Sequence, residues 1–153
     1  MGIVERVDPL TRTAFRATVH CFTGCAIGEI AGMAIATALA WGNAPTIALS
    51  IVLAFVFGYA LTMRGLLAGG MAVGQALRIA LAADTVSVAT METVDSLLIL
   101  VIPGAIDATL SESLFWSSLA LSLAIAFVAA FPVNRWMIGR GRGHAVAHAH
   151  HAH

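Results

Sequence analysis

Four long apolar runs set what this chain can become. They cover about Thr18 to Trp41, Thr46 to Leu67, Thr85 to Ala105 and Leu114 to Ile138. Each approaches or exceeds the roughly 20 residues that a helix needs to cross a bilayer core. Lipid offers no partner to an unpaired backbone group, so runs of this length predict helices that satisfy their own N–H and C=O groups. Turn signals separate them. Gly42-Asn43-Ala44-Pro45 follows the first run, Gly69-Gly70 closes the second, and Pro103-Gly104 stops the third. Asp84 reads as the N-cap of the third run, and Pro132 is expected to bend the last turns of the fourth. The segment 71–83 is helical in pattern but carries Gln75 and Arg78, which predicts a short helix lying at the interface. The expected fold is therefore all-α: a polytopic membrane protein of four transmembrane helices, with an interfacial helix between the second and third.

Composition agrees. Of 153 residues, 59% are hydrophobic and only 10% charged, against about one-quarter charged in a soluble domain. Three parts are expected: a cytoplasmic N-terminal segment over 1–16, the membrane domain over 17–138, and a cytoplasmic His-rich tail over 139–153. The first segment lacks the basic, apolar and small-residue pattern of a cleaved signal peptide. The formal net charge is zero with histidines neutral, which gives no footing for nucleic-acid binding.

Every cation is Arg; there is no Lys. Arg6, Arg12 and Arg16 precede the first run, Arg64 and Arg78 lie between the second and third, and Arg135, Arg140 and Arg142 follow the fourth. The other two loops carry none. By the positive-inside rule the Arg-bearing face, with both termini, is cytoplasmic, and the expected location is a bacterial inner membrane. Trp41, Trp116 and Trp136 fall near the expected interfaces, as aromatic anchors do.

Chemistry-bearing residues cluster inside these runs. In the first, Cys21, Cys25, Glu29 and Met33 recur every fourth residue, on one helical face, with His20 beside Cys21. Thiolate and thioether groups suit Cu(I) and other soft metals. The alternative is packing, since a free Cys behaves as a small hydrophobe and Met fills gaps. In the third, Glu92 and Asp95 are three apart near the middle, with Asp84 at its start and Ser87, Met91 and Ser96 nearby. A central Asp costs about 2.5–3.5 kcal/mol on insertion scales, and ionisable groups at that depth mark ion or proton pathways by default. No Arg lies within a run interior to neutralise them, so these carboxyls, with Glu29, must hold protons or meet a cation or a wet cavity; the structural alternative is a protonated staple between helices.

Gly24, Gly28 and Gly32 form a small-residue ridge continued by Ala36. Such a ridge allows close helix approach. It is expected to pack on the third run, bringing Glu29 near Glu92, or else to build a homo-oligomer. The tail histidines His144, His148, His150, His151 and His153 read as a loose metal-collecting tract or as incidental.

The runs His20-Cys21-x-x-x-Cys25-x-x-Gly28-Glu29 and Ala83-Asp84-Thr85-x-Ser87-x-x-x-Met91-Glu92-x-x-Asp95, with the ending Phe131-Pro132-Val133-Asn134-Arg135-Trp136, resemble an uncharacterised prokaryotic four-helix membrane domain of unknown function. The resemblance spans about Arg16 to His148. It implies the four-helix membrane fold, a His-containing tail and an association with copper proteins, and no established activity. The first helix departs from small mercury-uptake membrane proteins, which pair adjacent cysteines.

The leading expectation is a small membrane protein that binds or moves a soft metal, foremost Cu(I). Cys21 and Cys25 are then ligands, His20 and Met33 auxiliary, and Glu29, Glu92, Asp95 and Asp84 a cation or proton path. A metal-donor or metal-acceptor protein is the partner this implies, besides the lipid bilayer. Two alternatives stay open: a proton-coupled transporter or channel whose cysteines only pack, and a non-transporting scaffold or assembly subunit organised by the glycine ridge. No nucleophile–base pair, phosphate loop or complete redox motif speaks for an enzyme.

Overall fold

The computed structural model describes residues 8–140. They form four long helices: α1 (Pro9–Ala38), α2 (Asn43–Ala68), α3 (Val73–Val101) and α4 (Ser113–Gly139), with a short 3₁₀ turn at Ala105–Asp107. Glu5, Arg6, Arg142 and the five tail histidines lie outside the described residues. The helices α1, α2 and α4 are long and apolar enough to cross a membrane.

Local chemistry sets the helix ends. Asp8 caps α1 by accepting from the Leu10 amide at 3.4 Å, and Pro9 sits in the first turn, where its missing N–H costs nothing. α2 ends in a Schellman motif. Gly70 takes φ +85°, the Met71 amide donates to the Leu66 carbonyl at 3.2 Å, and the Gly70 amide donates to Leu67 at 3.0 Å. α1 ends the same way, with Trp41 N–H on Ala36 C=O at 2.9 Å, although Ala40 holds the left-handed position at φ +53°.

Three expectations need correction. The segment 71–83 is not a separate interfacial helix, because α3 runs unbroken from Val73 to Val101. Its Gln75 and Arg78 are exposed while Ala76, Ile79 and Ala80 face inward, so the polar residues mark a side of the helix rather than its end. For the same reason Asp84 is no N-cap; it sits buried within α3. α4 likewise continues through Pro132 to Gly139.

The helices pack antiparallel. The glycine ridge meets α2, not α3: a Cβ on Gly24 would come within 2.8 Å of Gly58 Cα, and one on Gly28 or Gly32 would overlap the backbone of Ala54 or Ser50. Ser50, Ala54 and Gly58 recur every fourth residue, so two small-residue ridges interlock. The ridge is thus consumed inside the chain. α4 closes on α1 through Asn134, whose Nδ2 donates to Thr18 Oγ1 at 2.9 Å in a fully buried pair. Exposed Arg135 bonds Thr11 and Asp8 at the surface; such a pair adds little stability.

The antiparallel order brings Arg12, Arg16, Arg64, Arg78, Arg135 and Arg140 to one end of the bundle, all of them exposed. The other end carries the α1–α2 turn and the loop before α4, without Arg. Trp41 and Trp116 are exposed at this Arg-free end, and Trp136 at the Arg-bearing end, where Arg140 stacks 4.6 Å from its ring. Large apolar side chains such as Ile27, Val52, Val56, Leu97 and Val128 stand exposed on the outside of the helices. A surface of this kind suits lipid rather than water.

Candidate carboxyl site

Gly28 faces α2, so the next residue, rotated by about 100° on the helix, turns into the bundle. That residue is Glu29. From α3, Glu92 and Asp95 arrive at the same level, and from α4 comes Ser122. The exposures are 8% for Glu29, 5% for Glu92 and 6% for Asp95. The Ser122 hydroxyl donates to Asp95 Oδ1 and also to the Leu119 carbonyl at 3.1 Å. The Glu29 carboxyl meets that of Asp95 and lies in the field of Glu92. Oε1 of Glu29 and Oε1 of Glu92 are buried without a hydrogen-bond partner. Three acids therefore converge, while every described Arg is at the surface.

These acids sit at the foot of a cavity of about 410 Å³. Its rim is Trp41, Asn43, Asp107 and Thr109 at the Arg-free end, and its walls are largely hydrocarbon from Met33, Ile47, Ile51, Ile99, Leu100, Phe115 and Leu119. The rim is tied by Asn43, whose Nδ2 donates to Asp107 Oδ1 at 2.7 Å. In the loop before α4, the Thr109 amide at 2.6 Å, seconded by its hydroxyl at 2.9 Å, holds the Glu112 carboxyl below its ordinary range.

Toward the Arg-bearing end the bundle closes. There α2 and α3 touch through Gly58 and Val88 and through the hydroxyls of Tyr59 and Thr85, 2.8 Å apart. Polar groups nonetheless continue inward from the acids. The Cys25 thiol meets the Glu92 carboxyl, and Cys21 meets Cys25. Both cysteines are buried free thiols. Farther along lie Ser87 and Asp84, the latter near Thr62, all three buried. Asp84 is eight residues from Glu92, about 12 Å along α3, so it forms a second station rather than part of the cluster.

The predicted soft-ligand stripe divides between these surroundings. Cys21 and Cys25 are in contact, His20 is half-buried beside them, and Met33 lines the cavity eight residues beyond Cys25, about 12 Å along the helix. Among the described residues, no three or more His, Cys, Asp or Glu are grouped so as to hold a metal ion. Sequence reasoning missed Ser122, Thr62 and the Asn134–Thr18 pair. A signal for two of them existed: Ser118, Ser122, Ala126, Ala130 and Asn134 recur every fourth residue of α4.

The model of a family described as "Domain of unknown function (DUF4396)" matches residues 11–143. No curated protein and no solved structure matches the chain.

Proposed function

The chain belongs to the DUF4396 family, and we propose that it is a four-span inner-membrane protein that passes protons or a cation through its carboxyl cluster, a proton-coupled transporter or channel. The observation that carries this reading is the convergence of Glu29, Glu92 and Asp95, with every described Arg exposed, at the foot of a cavity open at one end. Three neighbouring carboxylates in a low-dielectric interior repel one another, so the cluster favours taking up positive charge. The buried line from Glu92 through Cys25 toward Ser87 and Asp84 supports passage onward.

α3 is too charged for hydropathy alone to mark it as a span, but it starts at the end where α2 stops and finishes at the end where α4 starts. If its neighbours cross the bilayer, it crosses with them. The grouping of Arg at one end supports a cytoplasmic Arg-bearing face and a cavity open to the outside. The test is proton uptake by proteoliposomes of the full chain, read with an entrapped pH dye under an imposed inside-negative potential. Uptake above that of empty vesicles is expected, and it should survive the double substitution Cys21→Ala/Cys25→Ala. Uptake no faster than in empty vesicles would sink the reading.

A second reading rests on one contact. Cys25 touches Cys21, which gives a soft metal such as Cu(I) two neighbouring thiols. It predicts tight anaerobic Cu(I) binding that Cys21→Ser/Cys25→Ser removes. Equal, weak binding by both proteins would eliminate it.

A further inference from the structure

The carboxyl cluster and the cavity above it have opposite characters, and that contrast limits the occupant. Glu29 and Glu92 both line the cavity foot, and each has one buried oxygen, Oε1, without a hydrogen-bond partner. An unmet buried acceptor is costly, so the occupant should bring donors. Among the described residues the acids have no buried Arg beside them, so it should bring positive charge. The walls above are mainly hydrocarbon, with Ile47 and Ile51 from α2 and Ile99 and Leu100 from α3, interrupted by the hydroxyls of Thr37, Thr46, Ser50 and Ser96. An occupant with an apolar body covers those aliphatic walls better than a hydrated inorganic cation does. The volume of about 410 Å³ lies within the roughly 300–1,000 Å³ of small-molecule sites, which pair apolar walls with a few placed polar groups.

We propose that the cavity binds an organic ammonium ion with an apolar body, its N–H groups donating to Glu29 and Glu92 and its hydrocarbon lying between α2 and α3. The inference rests on the reading of the carboxyl cluster as the cation site and names the chemical class it takes. An ammonium head supplies both what the acids lack and what their unmet oxygens require. The apolar body replaces poorly held water against the isoleucine walls, which is favourable in proportion to the area covered. Asp95, already bonded by Ser122, needs no donor from the ligand and holds the cluster in register.

The experiment is equilibrium binding of radiolabelled 1-adamantylamine to the full chain in detergent, with neutral 1-adamantanol as the matched control. Saturable amine binding is expected, with the alcohol at least tenfold weaker. Glu29→Gln/Glu92→Gln should weaken amine binding at least tenfold, and so should Ile99→Trp, which narrows the cavity and leaves every carboxyl in place. Helical circular dichroism and melting establish that each variant is folded. If the double variant does not fold, Ile99→Trp and the amine–alcohol comparison still decide. Equal binding of amine and alcohol, or no saturable amine binding, would overturn the inference. Glu92-dependent proton uptake without amine binding would leave the carboxyl site standing and remove only its proposed occupant; loss of both would remove the site.

Discussion

Proteoliposomes carrying Glu92→Gln are expected to take up protons at least tenfold more slowly than those carrying the unaltered chain. Gln keeps the shape and hydrogen-bonding reach of the side chain but can neither hold a negative charge nor exchange a proton. Glu92 is the branch point of the polar line: it lies beside Asp95 and Glu29 on the cavity side and beside Cys25 on the inner side. Thr90→Ala is the matching control. Thr90 is in the same helix, and its hydroxyl bonds only back to the Val86 carbonyl at 2.7 Å. Uptake by Glu92→Gln equal to that of the unaltered chain would show that the acids staple helices and carry nothing. A melting temperature of Glu92→Gln unchanged or raised would separate loss of transport from loss of fold, since removing a carboxyl from a crowd of carboxyls relieves repulsion.

The second large effect is structural. Gly28→Ala is expected to destabilise the chain by more than the roughly 1–3 kcal/mol typical of an overpacked core. The added methyl group would overlap the backbone of Ala54, which, unlike a side-chain tip, cannot swing aside. Helices α1 and α2 would have to separate, and Glu29, the adjacent residue, would move with them. Gly65→Ala provides the contrast. A Cβ at Gly65 meets nothing within 4 Å, so this substitution should stabilise α2 by up to about 1 kcal/mol, the usual helix advantage of Ala over Gly. Thermal unfolding in detergent measures both. Equal melting temperatures for the two variants would refute the close approach of the α1 and α2 ridges.

These effects also show which parts of the molecule were legible in advance. The helices were, because their length and apolarity are properties of single segments, and their ends are marked by Gly69-Gly70, Pro103-Gly104 and the Gly42–Pro45 turn. The acids of α3 stand out in the sequence as a feature needing explanation, because cost at membrane depth depends on residue type and position alone. Pairing was less legible. The glycine ridge announces close approach but not its partner; the answer lay in the matching spacing of Ser50, Ala54 and Gly58, which looks unremarkable unless two segments are compared. The start of α3 was misjudged because Arg78 and Gln75 interrupt an apolar run without interrupting a helix: propensity and hydropathy are different quantities, and both residues tolerate a helix well. Ser122 was missed because a serine that bonds back to its own helix leaves no mark on hydropathy.

The asymmetry of the cavity has an electrical consequence. For this bundle in a bilayer, a wet cavity reaching Glu29 and Glu92 would carry the potential of the side it opens on down to the acids. The membrane voltage would then fall mainly across the closed half, which measures about 21 Å along α3 from Glu92 to Arg78 at 1.5 Å per residue. A unit charge leaving the acids for Asp84 would cross much of that shortened field, and a full crossing is worth about 2.3 kcal/mol per 100 mV. The shape of the cavity would thus make voltage a driving force at the step where a charge leaves the carboxyl cluster.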